Sequence, residues 1–200
     1  MLIEYFSHSY FKISGKEFSI CLDPFKDIGL PVKKCTADYL HTSHNHYDHN
    51  NKSAVKYNEI ITKSQDNFTI IPTYHDNQKG ALRGENNVLL FKLDGKKVAH
   101  LGDIGEYSEK VVNLLKGIDL LLIPVGGVYT IDSEIATKYV ENIKAKVVVP
   151  MHFKVQNCSV DVDSVDKFLK GKNYIEKEYS FVLEDIINNK EQIIYLKPQI

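Results

Sequence analysis

Two hundred residues, 43% hydrophobic and 26% charged, suit one soluble globular domain with a sizeable core. A net charge of −1 excludes a chain built as a whole to grip nucleic acid or an anionic membrane surface. The longest apolar run, "DLLLIPVGGV", is too short to span a bilayer. The first twenty residues lack the charged leader and apolar run of a signal peptide, so a cytoplasmic location is expected. Three scattered cysteines, Cys21, Cys35 and Cys158, with no C-x-x-C pair, argue against a disulfide framework and for a reducing compartment.

In chain order, "LIEYF" and "FSICLD" read as short strands with "SGKE" as turn material between them. "TADYLHTSH" is strand-like and runs into a dense histidine cluster; "EIIT", "NFTIIPT", "NNVLLFKL" and "KKVAHLG" follow as strands, the last two joined by "LDGKK" as a hairpin turn. The rhythm then changes. "SEKVVNLLKG" has helical spacing with Ser108 as N-cap and Gly117 as stop. "IDLLLIPVGG" and "AKVVVPMH" read as fully buried strands flanking a helix, "DSEIATKYVENIK", capped by Asp132 or Ser133. "SVDKFLKGK" is a short helix, and "YSFVLE" and "QIIYLK" close the chain as strands. Strands first and strand–helix alternation later predict an α+β layered fold, residues 1–200 forming one domain.

Within "HTSHNHYDHN" the useful unit is His44-x-His46-x-Asp48-His49. Imidazole and carboxylate suit zinc and similar divalent ions. Residues two apart on extended chain share a side, so His44 and His46 can grip one ion, while a turn after Asn45 aims Asp48 and His49 at a second. Four ligands cannot close two sites, and later strand ends supply more: His75 in "PTYHD", Asp103 in "HLGD" and His152 in "VPMHF". Asp103 follows a glycine at a strand end, where its carboxylate can lie close to both ions. His100 is read as supporting rather than ligating, and His41 as structural.

The motifs "HTSHNHYDH", "YHD", "HLGD" and "PMHF" resemble the metallo-β-lactamase superfamily. With "YHDNQKGALRGENNVLLF", "VAHLGDIGE" and "DLLLIPVGGVYTIDSEIA", the chain further resembles a bacterial and archaeal branch of zinc-dependent hydrolases. That branch is related to L-ascorbate-6-phosphate lactonase-like enzymes. The resemblance implies a four-layer αββα sandwich with the metals at one edge between two sheets. It implies one ion on His44, His46 and His75, another on Asp48, His49 and His152, and Asp103 bridging. His8, in "FSHSYF", matches a recurring motif of the branch and is a further candidate for catalysis beside Asp48 and Asp103. Lys79, Arg83 and Tyr129 are candidates for substrate contact, and Gly126 and Gly127 for close backbone approach.

The expected cofactor is a pair of divalent ions, zinc first, with manganese or nickel compatible with the donor set. Two such ions, two aspartates and a bridging hydroxide leave one net positive charge, which attracts anions and stabilises an oxyanion. The expected function is therefore hydrolysis: metal-bridged hydroxide attacks a carbonyl centre of lactone or ester type, or a phosphoryl centre, in a small anionic substrate. The alternatives are a phosphodiesterase or nuclease on the same fold, and a metal-binding protein without catalysis. The expected partner is that small molecule, with no membrane and no nucleic acid; self-association stays open.

Overall fold

Strands β1 (Leu2–Ser7), β2 (Tyr10–Ser14) and β3 (Ser19–Leu22) form an antiparallel run in which Tyr5 faces Phe11 and Phe11 faces Leu22. The structure, a computed structural model, describes residues 1–187 and 190–199. Strand β2 was not expected: it occupies "YFKIS", between the strand read in "LIEYF" and the turn read in "SGKE". Its alternation is regular, with Phe11 and Ile13 buried, but at five residues the periodic signal is short. The chain reverses at Ser7–Ser9 and so puts His8 at a hairpin tip.

The strand expected over "TADYLHTSH" divides into β4 (Cys35–Thr36) and β5 (Tyr39–His41). After a 3-10 turn at Lys52–Ala54 come β6 (Val55–Lys56) and β7 (Glu59–Ile60). Strands β4 and β6 make a small parallel pair, while β5 and β7 extend the first sheet in parallel with β3. Then β8 (Phe68–Tyr74), β9 (Glu85–Leu93) and β10 (Lys96–His100) run up, down and up.

From there parallel strands alternate with helices: α1 (Glu109–Leu115), β11 (Leu120–Pro124), α2 (Ser133–Ile143), β12 (Val147–Met151) and α3 (Asp166–Leu169). The Ser108 hydroxyl caps α1, and the Asp132 carboxylate caps α2 by accepting from the amides of Glu134 and Ile135. The chain ends with β13 (Ile175–Lys177), β14 (Ser180–Val182), the single turn α4 (Leu183–Ile186) and β15 (Gln192–Leu196). Strand β13 was not expected, and "YSFVLE" divides between β14 and α4.

Two sheets result, ordered β14-β1-β2-β3-β5-β7 and β13-β15-β12-β11-β10-β9-β8. Their facing sides share one core: Ile3, Tyr5, Phe11, Ile13, Ile20 and Leu22 from the first, with Val98, Leu120 and Val147 among those from the second. Helices α1, α2 and α3 join that core through Val112, Tyr139 and Phe168 and cover the second sheet, so β11 and β12 are buried along their whole length. On the first sheet, the alternate residues Tyr10, Cys21 and Leu40 face a second cluster with Phe25, Ile28, Ala54, Val55 and Val160. The fold is the α+β sandwich expected, with connecting segments doing much of the covering on that outer side.

This topology aims strand ends at one edge. In the second sheet β8, β10, β11 and β12 all run the same way; in the first, β1, β3 and β5 do. His8 follows the C-terminal end of β1, Asp23 that of β3, and the His44–His49 segment that of β5. His75 follows β8, Asp103 follows soon after β10, and His152 follows β12.

Candidate metal centre

The Asp103 carboxylate lies at the middle of the cluster. Its Oδ2 is 3.1 Å from Nε2 of His49, 3.1 Å from Nε2 of His152 and 3.3 Å from Nε2 of His75. Three sets of side chains bring donor atoms within 4.8 Å of one another: His44, His46 and His75; His44, His49 and Asp103; and His8, Asp48, His49 and His152. All seven residues expected as ligands are thus brought together, and His8 joins them.

Do these residues fit metal ions? A tetrahedral ion with bonds of about 2.0–2.1 Å sets neighbouring donor atoms about 3.3 Å apart. The N–O separations here, 3.1–3.3 Å around Asp103 and 3.8 Å between His49 Nε2 and Asp48 Oδ2, are of that size. Nε2 of His44, His49 and His152 and Oδ1 of Asp103 are buried without a hydrogen-bond partner. Buried polar atoms are rarely left so. A cation supplies what they lack, and the donor set fits a borderline divalent ion.

Behind the donors a carboxylate absent from the sequence-based site sets their orientation. Asp23 is fully buried; its Oδ2 accepts from His49 Nδ1 at 2.9 Å and from the Ser43 hydroxyl at 2.6 Å, and its Oδ1 accepts from the Ser43 amide at 2.6 Å. Having given its proton to Asp23, the Ser43 hydroxyl accepts from His44 Nδ1 at 2.9 Å. Both imidazoles are thereby protonated on Nδ1 and turn Nε2 inward, as ligating histidines with a carboxylate partner do. The signal for Asp23 was its place after a strand, in "CLDPF", a position it shares with the metal-ligand candidates.

His8 sits deeper than a cleft residue, 2% exposed. Its ring centroid is 4.1 Å from that of His152 and 4.9 Å from that of His49. Burial, aided by His152, lowers its pKa to about 4, so the ring is neutral at pH 7. Asp48 is half-buried, which opposes its ionisation, yet the hydrogen bond from His8 and the charge of His49 keep it ionised. An ionised carboxylate only accepts, so Nε2 of His8 donates to Asp48 Oδ2 across 3.3 Å. The His8 carbonyl accepts from the amide of His152 at 2.8 Å and from the Tyr5 hydroxyl at 3.0 Å.

His8 and His152 both hold positive φ, at 56° and 53°, as do Ser7 at 128° and Asp23 at 45°. Such backbone is costly for residues other than glycine and concentrates at functional sites. Gly126 answers the expectation of close approach: a Cβ there would lie 2.1 Å from the His152 carbonyl oxygen. Gly102 is as confined, since its Cβ would meet Asn86 Oδ1 and Ser43 Cβ, each at 2.4 Å. Asn86 binds this turn by accepting from the Asp103 amide at 2.9 Å and donating to the Leu101 carbonyl at 2.9 Å.

The charges follow from these contacts. Burial opposes ionisation of Asp103, but His152 and His49 outweigh it and hold the carboxyl well below its ordinary range. Burial likewise opposes the His49 imidazolium, and Asp103 and Asp23 outweigh it, raising His49 well above the usual value. His44 has no such carboxylate contact of its own, and burial with the nearby His49 draws it down to about 3. His100 is neutral and supporting in geometry: Nε2 donates to the Ser9 carbonyl at 3.1 Å, and Nδ1 accepts from the Gly102 amide at 3.2 Å. His41 is buried away from the cluster and donates from Nδ1 to the Ile61 carbonyl.

Beside the cluster opens a cleft of about 640 Å³ lined by His46, Asp48, His75 and Asp103 on its floor. Its walls carry Asn45, Tyr47, Arg83, Tyr129, Ser159, Val160 and Asp161. The Arg83 guanidinium carbon stands 5.5 Å from the centre of the Tyr129 ring, so two of the three residues expected to meet substrate do line the cleft. Lys79 does not. It is exposed on a loop wound around Asp76, whose carboxylate accepts from the amides of Gln78, Gly80, Leu82 and Arg83. That winding carries Arg83 inward and leaves Lys79 outside.

Known proteins with this chain pattern agree with the geometry. Residues 2–152 match the family model of the β-lactamase superfamily domain. A solved structure from Thermotoga maritima, described as a Zn-dependent hydrolase of the metallo-β-lactamase superfamily, superposes with a TM-score of 0.82 at 30% identity, covering 99% of each chain. A UPF0173 metal-dependent hydrolase of Carboxydothermus hydrogenoformans is 28% identical, over 76% of this chain and 84% of its own. A UPF0173 protein of Pyrococcus abyssi is 29% identical, over 76% of this chain and 83% of its own. With a histidine and aspartate cluster able to hold metal at the strand ends, the chain belongs to the metal-dependent hydrolases of the metallo-β-lactamase superfamily.

Proposed function

We propose that this protein holds two divalent cations, zinc first among them, and hydrolyses a small anionic substrate at a carbonyl centre of lactone or ester type or at a phosphoryl centre. The observation that carries the reading is Asp103 Oδ2, which reaches His75 on one side and His49 and His152 on the other. One carboxylate shared between two donor groups is the arrangement that two neighbouring cations require. His44, His46 and His75 would hold one cation, Asp48, His49 and His152 the other, with Asp103 between them. Cations at these positions would supply Lewis acidity and a water acidic enough to act as nucleophile near neutral pH.

The chain's own residues do the rest. Asp23, through Ser43 and directly, holds His44 and His49 in the tautomer that leaves Nε2 free. His8 occupies one oxygen of Asp48 and so fixes how that carboxylate faces the cleft. Arg83, the one arginine or lysine among the cleft-lining residues, would bind the substrate's anionic group, and Tyr129 would flank it. The near-neutral chain and a cleft with a single such cation favour a small molecule over a nucleic acid strand, which calls for a basic, aromatic-rich track.

Replacing Asp103 with alanine tests the reading. Metal-loaded Asp103→Ala should keep its fold by circular dichroism and lose turnover of lactone, ester and phosphodiester panels alike; retained turnover sinks the proposal. Comparing the panels in the unaltered protein separates the chemistries: a preference for phosphodiesters favours phosphoryl transfer over lactone or ester hydrolysis. Binding of two metals with no turnover on any panel would favour a metal-binding protein.

A further inference from the structure

Away from the cluster, on the outer face of the first sheet, two thiols meet. Cys21 lies in β3 and Cys35 begins β4, and the chain between them is the loop that carries Asp23. Their sulfurs are 2.8 Å apart, closer than two unlinked sulfurs rest and short of a bond by less than about 1 Å. The Tyr10 hydroxyl lies 3.2 Å from the Cys35 sulfur. Cys21 is buried, whereas Cys35 is partly open and lines a surface cleft of about 360 Å³ with Lys34 and Lys56 at its sides. Cys35 is therefore the more open of the pair, and Cys21 lies behind it.

We propose that Cys21 and Cys35 are a dithiol site that a small peroxide converts reversibly to an intramolecular disulfide. The Cys35 thiolate attacks one peroxide oxygen; the O–O bond breaks, a sulfenic acid forms, and the departing hydroxide takes a proton to become water. The Cys21 sulfur then attacks the Cys35 sulfur, the S–S bond forms as the S–O bond breaks, and the Cys21 proton leaves with the hydroxyl as a second water. Two thiols lose two electrons and the peroxide gains them. The order follows from exposure, and the charges support it: the hydrogen bond from Cys21 draws Cys35 down to about 7, while that same contact and burial push Cys21 far up. Oxidation would tie β3 to β4 across the Asp23 loop.

The test treats the full-length protein with hydrogen peroxide, then counts thiols under denaturing conditions and maps tryptic peptides. Lys26, Lys33 and Lys34 lie between the two cysteines, so trypsin resolves them. Expected are the loss of two of three thiols, a mass lower by two hydrogens, a Cys21–Cys35 linked peptide pair, and full reversal by dithiothreitol. Cys158→Ser should behave identically, and Cys21→Ser should instead gain oxygen at Cys35. Three thiols surviving in the unaltered protein, added oxygen at Cys35 without a link, or a link through Cys158 would each overturn the proposal.

Discussion

His8 and Asp48, forty residues apart in sequence, are joined by a part-buried hydrogen bond from Nε2 to Oδ2 at 3.3 Å. The same His8 gives its carbonyl to the amide of His152, so one hairpin tip positions two residues of the Asp48–His49–His152 group. His8→Ala should lower metal affinity at that group by about 10–100-fold, the usual cost of losing a ligand's supporting contact. His44, His46 and His75 should keep theirs. Metal titration followed by elemental analysis distinguishes the two; an equal loss at both would mean His8 supports the fold rather than Asp48. His8→Gln, which can donate to Asp48, should recover part of the loss.

Asp23 and His49 give a prediction about protons. His49 is raised well above its usual value, and His75 is also raised, each through Asp103 acting against burial. Without metal His49 therefore retains a proton near pH 7, and His75 holds its proton more firmly than a free imidazole does; a bound cation must displace what they carry. Metal binding at pH 7 should release protons, so the calorimetric heat of binding should change with the ionisation enthalpy of the buffer; a buffer-independent heat contradicts it. The sign for metal-free stability follows. His49, raised on folding, contributes fully below its unfolded value of about 6.5 and loses that contribution as pH rises through its folded value. Asp23 and Asp103, lowered on folding, contribute above about 3.9 and lose it as pH falls through their folded values. Metal-free protein should thus melt at lower temperature on the alkaline side as well as in acid.

The donors were legible in the sequence because metal chemistry demands particular side chains at strand ends, and the strands before His75 and His152 announce themselves. Asp23 and Ser43 were harder to read. A single aspartate and a serine carry no motif of their own, and their role exists only once β3 and β5 lie side by side. Strand β2 was missed because "SHSYFKIS" is short and polar at its start, although its hairpin is what brings His8 inward. Lys79 and Arg83, four residues apart, were equivalent as sequence; the amide contacts of Asp76 separate them.

Gly126 bears on the same scaffold. A methyl group there would stand 2.1 Å from the His152 carbonyl oxygen, a backbone atom with no side-chain freedom to yield. Gly126→Ala should cost about 1–3 kcal/mol, the usual penalty of overpacking, measured by denaturant titration of the metal-free protein. Because His152 must move, the Asp48–His49–His152 group should also lose metal affinity. An alanine variant with unchanged stability and metal content would contradict this close contact.

Arg83 makes the substrate side testable before a natural substrate is identified. Its guanidinium lines the cleft beside Tyr129, whereas Lys79 is exposed outside it. A charge-assisted hydrogen bond to a substrate anion carries about 1.5–3 kcal/mol, so Arg83→Gln should lower kcat/KM for carboxylate- or phosphate-bearing substrates by about tenfold to a hundredfold. The loss should fall mainly on KM, since a binding contact made equally in ground and transition states leaves kcat nearly unchanged. Neutral esters of similar size should be hydrolysed almost as before. Lys79→Gln should match the unaltered protein on both classes. Equal losses on charged and neutral substrates would assign Arg83 to the structure of the cleft, and a loss confined to Lys79→Gln would place the anion on the outer side of the Asp76 loop.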